Sequence, residues 1–272
     1  MALARYLDGW QPGAVTSDDA VDAAQAAAFA AVIDQEPPEG VLPPLWHWFN
    51  FLDQPRGDEL GPDGHPLHGH FLPPLPDRRR MIAGGRLSWR APLRFGWSAR
   101  RVSSLSGVEV KQGRGGEVVF VTVRHEVSQR GALCLVEEHD IAYRSGDPGP
   151  KRFDRPQRTP LSESPWQLPL RADPVLLFRV SALTANPHRV HYDAPYAHQE
   201  EGYPDLVVHG PLLALLMAEL PRRAGVAMVS MRYRFAKPVF AGDPVLVTGG
   251  LDGALSVVGA GIHAEAEARF DL

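Results

Sequence analysis

Apolar side chains fill almost every position between residues 212 and 220, in the run LLALLMAEL. They fall on nearly every face of a helix drawn through the run, which is typical of a helix buried on all sides. Gly210 and Pro211 precede the run, and a proline in the first helical turn gives up an N–H that would have no partner there. Pro221 predicts the end of the helix. The pattern therefore predicts a short helix inside the core.

Alternating apolar and polar positions predict antiparallel strands on both sides of this helix. These segments are residues 86–97, 99–114, 116–129 and 131–144 in the first half of the chain, and residues 229–251 and 254–272 in the second. The turn at Arg130 and Gly131 predicts that the two segments around it form a hairpin. An alanine-rich segment, residues 17–34, predicts a further helix that Ser17 or Asp18 would cap.

The two halves of the chain repeat one outline of helix, loop and antiparallel strands. In each half a strand with aromatic and arginine residues runs into a proline and then a glycine, over residues 87–96 and 233–242. A polar, proline-rich segment, residues 146–165, is typical of a linker. The pattern therefore predicts a duplicated α+β fold, with one domain over residues 1–145 and another over residues 166–272.

Composition narrows the class of protein. The 272 residues are 44% hydrophobic and 22% charged, as in an ordinary globular protein, and the net charge of −4 argues against a nucleic-acid partner. No segment is long and apolar enough to cross a membrane, and the first ten residues lack the layout of a signal peptide. Cys134 is the only cysteine, which excludes an internal disulfide and predicts a buried thiol in a reducing compartment. We therefore expect a cytoplasmic protein without a membrane partner.

Groups able to move protons are concentrated just before the predicted buried helix, at Asn186, His188, His191 and Asp193. The first N–H groups of a helix lack intrahelical partners and lie at the positive end of its dipole. The N–H of Gly210 could therefore bind an oxygen that gains negative charge. His191 and His188 are the candidate acid and base, because an imidazole exchanges protons near neutral pH.

Two other regions invite a functional interpretation. Aromatic residues cluster around His47 and Asn50, where they could line a substrate pocket or, as is more common, form aromatic core. A loop over residues 54–80 contains three histidines, but their spacing is loose and no cysteine or acid completes a ligand set, so no metal is predicted. The loop ends in three arginines, which either face solvent or bind an acidic ligand. The histidines and arginines are His65, His68, His70, Arg78, Arg79 and Arg80.

The string NPHRVH at residues 186–191, followed by His209 and Gly210, resembles the hydratase motif of the MaoC-like, hot-dog-fold enoyl-thioester hydratases. In that family an Asp, an Asn and a His stand at relative positions 0, 2 and 5, and a His-Gly pair opens the central helix. Here His191 falls on the catalytic His, His188 on the Asn and Asn186 on the Asp. The longer string SALTANPHRVHYD…EGYPDLVVHGPL is similar to the branch of mesaconyl-C4-CoA (3-methylfumaryl-CoA) hydratases and mitochondrial-type hydroxyacyl-thioester dehydratases.

The resemblance implies a double hot dog, in which two curved antiparallel sheets each wrap a central helix. Only residues 166–272 hold the motif, so one active site per chain is expected. In the resembling enzymes water adds to a C=C bond conjugated to a thioester, which implies His191 as proton carrier and the Gly210 N–H as oxyanion donor. Asn186 cannot transfer a proton at neutral pH, so either His191 suffices or Asp193 or His188 is the second group.

The thioester arm would need further contacts. A role at the helix start is expected for His209, and basic contacts to coenzyme A or an acyl carrier for Arg232 and Arg234. No cofactor is expected. Pairing into a homodimer is left open, because a double hot dog already contains the two sheets that single hot dogs bring together by pairing.

Three functions are compatible with these features. The first is hydration of a mesaconyl-C4-CoA-type enoyl-CoA to the 3-hydroxyacyl-CoA, here citramalyl-CoA. The second is dehydration of a 3-hydroxyacyl thioester in fatty acid synthesis. The third is a non-catalytic acyl-thioester binding module, which the Asn at the position of the catalytic Asp suggests.

Overall fold

The computed structural model describes residues 3–113, 116–146 and 152–272. Within these ranges ten strands form one antiparallel sheet. The strands are β1 Val15–Asp19, β2 Arg78–Trp89, β3 Ala99–Gly113, β4 Gly116–Gln129, β5 Ala132–Ser145, β6 Trp166–Leu170, β7 Ala227–Phe235, β8 Val245–Gly249, β9 Ala254–Gly259 and β10 Gly261–Asp271. The helices are α1 Ala23–Val32, α2 Pro174–Leu183, α3 Ala194–Gln199 and α4 Gly210–Arg223.

The sheet consists of two five-strand halves joined at a single seam. The strand order is β1-β3-β4-β5-β2 in the first half and β7-β10-β9-β8-β6 in the second, and β2 pairs with β7 between them. At the seam a Cβ on Gly84 would lie 2.4 Å from the Tyr233 carbonyl oxygen. The glycine therefore allows the two halves to approach closely. The second half contributes the buried helix α4, whereas α1 of the first half buries one face, with Phe29 and Ala30 fully enclosed.

Helix α4 is buried on all sides, as its apolar pattern predicts. Every residue from Leu212 to Pro221 is buried. Its one charged residue in that run, Glu219, accepts hydrogen bonds from the Trp46 indole at 3.1 Å and from the Arg222 guanidinium at 2.8 Å. The predicted stop is wrong, because Pro221 lies inside the helix, which ends at Arg223. A proline in the last turn removes only one helical hydrogen bond, and the chain continues through the Ala224 N–H, which donates to the Leu220 carbonyl.

The predicted start of the first helix is also wrong. Residues 15–19 form β1, which pairs with β3 from Val15 opposite Ser103 to Asp19 opposite Ala99. The helix begins only at Ala23, and Asp22 caps it by accepting a hydrogen bond from the Ala24 N–H at 2.9 Å. Helix propensity describes the alanine-rich part correctly but contains no information about a partner strand far along the chain.

Strand β2 is displaced from its predicted position. It occupies Arg78–Trp89, so the arginines assigned to a loop begin the strand, whereas residues 90–97 turn away from it. The Arg90 and Ala91 N–H groups both donate to the Cys134 carbonyl, which closes the turn before Pro92. The predicted hairpin is confirmed, since β4 pairs with β5 from Val119 opposite Tyr143 to Gln129 opposite Ala132.

The segment between the halves runs from the end of β5 to the start of β6, and residues 147–151 within it lie outside the described part of the chain. Its described end is attached to the second half, because the Arg155 guanidinium donates to the Asp243 carboxylate at 2.6 Å and to the Ala241 carbonyl at 2.7 Å. The proposed division at residues 145 and 166 places five strands on each side.

The aromatic cluster of the first half is core. Trp46 and Phe49 lie on a 3-10 helix and are fully buried, with ring centroids 4.8 Å and 4.4 Å from that of Phe29 in α1. Cys134 is buried as well. No helix in the described part of the chain combines the length and the apolar character needed to cross a membrane.

Candidate active site

Four imidazoles form a continuous row at the start of α4, which we call the histidine cluster: His65, His188, His191 and His209. The His191 and His209 rings are stacked, with centroids 3.7 Å apart and planes 18° apart. His188 lies 5.4 Å from His191 edge to face, and His65 lies 4.0 Å from His188. The cluster therefore joins the predicted motif to a residue of the first half of the chain.

His191 lies at the end of a 3-10 helix, Arg189–His191, and is buried. Its Nδ1 is 2.7 Å from the Val207 carbonyl oxygen. Since a carbonyl can only accept, Nδ1 bears the proton and Nε2 keeps its lone pair. Burial and the nearby charge of His188 lower the pKa of His191 to about 3. The side chain is therefore a neutral imidazole with a free acceptor nitrogen.

His209 connects this imidazole to α4. Its Nε2 is 2.9 Å from the Ser181 hydroxyl, whereas Nδ1 is buried without a hydrogen-bond partner among the described residues. Burial, followed by the charge of His191, holds the pKa of His209 well below its ordinary value. His209 is also the N-cap residue of α4, and its side chain makes no capping hydrogen bond.

The first turn of α4 is open to a ligand oxygen. Pro211 has no N–H, and within the described ranges the N–H groups of Gly210 and Leu212 have no acceptor. A Cβ on Gly210 would lie 3.1 Å from the Phe235 ring, so the glycine lets that ring pack against the turn. Unpaired N–H groups at the positive end of a helix dipole suit an oxyanion.

Asn186 and Asp193 support the backbone of the loop. The Asn186 side-chain oxygen accepts a hydrogen bond from the His188 N–H at 3.1 Å, which fixes the turn that presents the histidine. Asp193 caps α3 by accepting from the Tyr196 N–H at 3.1 Å, and it also binds Arg189 at 2.8 Å. The Tyr196 N–H and then Arg189 lower the pKa of Asp193. These contacts occupy the carboxylate that sequence analysis offered as a substitute for the missing Asp.

The structure does not bring Arg232 and Arg234 to the histidine cluster. They alternate along β7 with Met231 and Tyr233, whose side chains are buried against the core, so the arginines lie on the opposite, exposed face. Arg234 forms an ion pair there with Glu265. The alternation of a strand places neighbouring side chains on opposite faces, so these arginines lie away from the histidine cluster, and their contact with the thioester arm stays a prediction.

Asp63, from the loop before β2, is a polar group of this site that sequence analysis missed. Its carboxylate is 2.9 Å from Nδ1 of His65. Burial raises the pKa of Asp63, but the hydrogen bonds from His65 and the charge of that imidazole outweigh burial and lower the pKa to about 2. The signal was an Asp-Gly-His string in a loop rich in glycine and proline, and nothing local identifies its distant partner.

The three loop histidines do not form a metal set together, since His70 instead lies with Nε2 2.6 Å from the Gly13 carbonyl oxygen. A different trio, Asp63, His65 and His188, offers one ligand atom each within 4.8 Å of one another. A carboxylate with two imidazoles is a donor set that suits zinc. The His65 and His188 rings pack against each other with planes 32° apart, and Nδ1 of His65 is already within hydrogen-bond distance of the Asp63 carboxylate.

Arg80 lies beside the cluster without a partner. It is directly opposite Tyr143 across β2 and β5, so both side chains project from the same face of the sheet. In the described part of the chain the Tyr143 hydroxyl is buried without a hydrogen-bond partner, and the Arg80 guanidinium makes no hydrogen bond or ion pair. The pKa of His188 falls to about 3 through burial and the charge of His65, and Arg80 contributes to that fall.

Comparison with known proteins gives a consistent picture. The family model for hydroxyacyl-thioester dehydratase type 2 matches residues 45–241. A mesaconyl-C(4)-CoA hydratase of Chloroflexus aurantiacus is 46% identical over 231 residues, which cover 82% of this chain and 81% of that protein. The mitochondrial hydroxyacyl-thioester dehydratase type 2 of Schizosaccharomyces pombe is 33% identical over 42% of this chain and 39% of its own length.

Solved structures agree on the fold. HtdX of Mycobacterium tuberculosis matches with a TM-score of 0.65 at 18% identity, covering 95% of this chain and all of that one. A MaoC-like dehydratase from Phytophthora capsici matches with a TM-score of 0.67 at 13% identity, covering 100% of this chain and 98% of that one. These matches confirm the predicted double hot-dog fold.

Proposed function

The chain belongs to the hydroxyacyl-thioester dehydratase type 2 family of hydro-lyases, and from that membership we propose that it reversibly hydrates an α,β-unsaturated acyl-CoA. The substrate class we propose is mesaconyl-C4-CoA, with citramalyl-CoA as product, the activity named for the relative that is 46% identical. The observation that supports this chemistry most directly is a neutral His191 with a free Nε2, stacked on the residue that precedes the unpaired N–H groups of α4.

Hydration begins when water attacks the carbon β to the thioester. His191 Nε2 takes a proton from that water, the C=C electrons move toward the thioester, and negative charge collects on the thioester oxygen. The N–H groups of Gly210 and Leu212 donate to this enolate oxygen, a contribution of roughly 3 kcal/mol per donor to the transition state. A proton then reaches the α-carbon. With mesaconyl-C4-CoA, the hydroxyl ends on the carbon that bears the methyl and the distal carboxylate.

Burial of His191 fits this sequence of events. In the free protein the buried imidazole resists protonation, and its pKa lies near 3. During reaction the imidazolium and the enolate form together, so the two opposite charges stabilise each other in a site of low dielectric constant. The site therefore stabilises a charged imidazole only when the enolate forms beside it.

Arg80 supports a dicarboxylic substrate. A guanidinium without an anionic partner, beside a buried tyrosine hydroxyl without a partner, offers two donors to one carboxylate. Charge-assisted hydrogen bonds of this kind are the strong ones, and a planar fork of N–H groups matches a carboxylate. We assign Arg80 and Tyr143 to the distal carboxylate of the substrate, on the side of the cluster where His188 lies.

The test is the loss of enoyl-thioester absorbance with mesaconyl-C4-CoA and, separately, with crotonyl-CoA. Wild-type protein is compared with His191→Ala and with a matched control, His198→Ala, which removes an exposed histidine of α3. We expect turnover of mesaconyl-C4-CoA in wild type and control, and a loss of about 10²–10⁴-fold in His191→Ala. Undiminished turnover in His191→Ala would remove this residue from the mechanism.

The same panel separates the competing functions. Preference for crotonyl-CoA, or for a longer monocarboxylic ester, would favour dehydration of 3-hydroxyacyl thioesters, as named for the relative that is 33% identical. Binding of the esters without turnover of any of them would favour a non-catalytic module. The proposed site uses groups from both halves of a single chain, so it does not require a homodimer, and the mass of the protein in solution tests whether chains pair.

A further inference from the structure

A loop of the first half is docked on the hydratase motif of the second. The Arg189 N–H donates to the Asp63 carbonyl at 2.9 Å, and the Arg189 guanidinium donates to the Pro62 carbonyl at 2.8 Å, across 127 positions of sequence. The next residue, Gly64, has φ +89°, and a Cβ there would lie 1.9 Å from the Pro187 carbonyl oxygen. Only glycine allows this approach, so the contact depends on Gly64.

The docked loop places the imidazole of His65 next to His188 in a fixed orientation. Both oxygens of Asp63 bind His65, one accepting from its backbone N–H at 2.9 Å and the other lying 2.9 Å from its Nδ1. A carboxylate on Nδ1 fixes the tautomer of an imidazole, leaves Nε2 for chemistry and stabilises the cationic form. His65 is therefore held by two contacts to one side chain, while its ring lies on His188.

The motif itself lacks such a group. Asn186 stands where the resembling family has its catalytic Asp, and its side-chain oxygen is engaged by the His188 N–H. Asp193 is occupied by the Tyr196 N–H and Arg189. Burial disfavours a charge on His188, whose ring makes no hydrogen bond to a carboxylate of the described residues. None of these three residues offers a charged proton donor, whereas His65 has a carboxylate partner.

We propose that His65, oriented by Asp63, is the second proton-transfer residue of this site and supplies from the first half the function that the motif lacks at Asn186. The inference rests on the proposed hydration. His191 takes the proton of the attacking water as the C–O bond forms. Protonated His65 gives its proton to the α-carbon as the enolate collapses to the thioester. His191 then releases a proton to solvent and His65 takes one up, so that the net change is the addition of one water.

Access to solvent favours His65 over the deeper imidazoles for this role. The His65 side chain is 20% exposed, whereas His191 as a residue is 8% exposed and His209 is 2% exposed. A donor that must be recharged in every turnover needs contact with water. The groups that face His65 are Asp63 on its own loop and His188 on the second half, and Arg189 holds the loop backbone nearby.

The inference is tested with His65→Gln and Asp63→Asn, beside His68→Gln, which changes an exposed histidine of the same loop. With mesaconyl-C4-CoA we expect kcat to fall about 100-fold in His65→Gln, as for loss of a general acid, and about 10-fold in Asp63→Asn. The control should keep wild-type kcat.

Two further measurements distinguish proton transfer from a structural role. Added imidazole should restore part of the activity of His65→Ala, which a loop that merely anchors the halves would not allow, and thermal unfolding shows whether each variant is folded. Activity should survive dialysis against a chelator and should not rise with added zinc. Zinc-dependent activity, lost in both loop variants, would overturn the inference in favour of a metal site at Asp63, His65 and His188.

The result for wild type separates this inference from the proposed function. Turnover that persists undiminished in folded His65→Gln would overturn the role of His65 while leaving the hydration intact. Absence of turnover of every ester by wild type would overturn both.

Discussion

The molecule contains two clusters of histidines, one within the first half and the histidine cluster between the halves, and the two differ in how completely their hydrogen bonds are satisfied. In the first half, His47, Trp48 and His139 all bind the carboxylate of Glu137, at 3.0, 2.7 and 2.7 Å. Burial raises the pKa of Glu137, but the charges and hydrogen bonds of His139 and His47 outweigh burial and hold the pKa well below its ordinary value. Its partners occupy both oxygens of this carboxylate, so the cluster stabilises the fold.

The histidine cluster, in which His65 of the first half meets three histidines of the second, leaves polar groups without partners. His191 keeps a free Nε2, and the His209 Nδ1 is buried without a partner among the described residues. Within the described ranges the carboxylate hydrogen-bonded to this cluster is Asp63, which reaches only His65 at the outer end of the row. Buried polar groups are normally satisfied, so those that are not satisfied indicate where a ligand binds.

Helices α1 and α4 differ in the same way at their first turns. The side chain of Asp22 closes the start of α1 by accepting from the Ala24 N–H, whereas His209 at the start of α4 makes no such bond. An anionic ligand can therefore use the dipole of α4 but meets a carboxylate at α1. This difference supports one active site per chain, in the half that holds the motif.

The largest expected effect is a loss of stability when Glu137, the acceptor at the centre of the first cluster, is removed. Glu137→Ala leaves His47, Trp48 and His139 without their buried acceptor, and the free energy of unfolding should fall by about 3–5 kcal/mol. Denaturant unfolding measures this loss. His191→Ala, which removes an open group, should lower activity with a far smaller change in stability. Equal losses of stability in both variants would mean that the clusters do not differ in role.

Acid should act on both clusters through their neutral histidines. His125 lies beside the first cluster, with its ring centroid 5.4 Å from that of His139. Burial, as the largest cause, lowers the pKa of His125 and of His191 from 6.5 to about 3 in the folded protein. Between pH 6.5 and pH 3 the unfolded chain binds a proton on each histidine that the native protein does not bind. The contribution of each neutral histidine to the free energy of unfolding is therefore fully present above pH 6.5 and is lost as the pH falls toward 3.

Each such histidine should lower the free energy of unfolding by about 1.4 kcal/mol per pH unit over this window. Urea unfolding at pH 7 and pH 5 measures the slope, and His191→Gln should reduce the proton uptake on unfolding by about one. A slope that is the same in wild type and variant would show that His191 is already charged in the folded protein.

Substitution of Arg80 tests whether the distal carboxylate of the substrate binds beside the histidine cluster. Arg80→Gln should reduce kcat/KM for mesaconyl-C4-CoA by roughly 30-fold, about 2 kcal/mol for a charge-assisted hydrogen bond. The kcat/KM for crotonyl-CoA, which has no distal carboxylate, should change little. Arg78→Gln, at the start of the same strand, is the matched control. Equal losses for the two esters would place Arg80 at the thioester rather than at the acyl end.

The smallest effect, a modest loss of stability, is expected at the capped start of α1. Asp22→Ala removes the N-cap of α1 and should lower the free energy of unfolding by about 1 kcal/mol. Because α1 has no ligand at its start in this interpretation, kcat for mesaconyl-C4-CoA should stay at the wild-type value, measured well below the melting temperature. A large fall in kcat at unchanged stability would indicate that the first half contains a second site.

Local patterns determined a large part of this protein. The run LLALLMAEL specifies a helix buried on all sides, because only a fully enclosed position suits apolar side chains on every face. Alternation with a tight turn specifies the β4–β5 hairpin, and the spacing of Asn186, His188 and His191 before Gly210 identifies the family. These features depend on residues close in sequence, so the sequence alone was sufficient.

Only the tertiary structure decided which distant groups meet. The strand β1 exists because β3 lies beside it, and Arg232 faces away from the cluster because the register of β7 buries its neighbours. Asp63 and His65 reach His188 through a loop whose close approach depends on Gly64 and on backbone hydrogen bonds to Arg189. Such contacts have no local signature, since their free energy arises between segments that the chain must first fold to bring together.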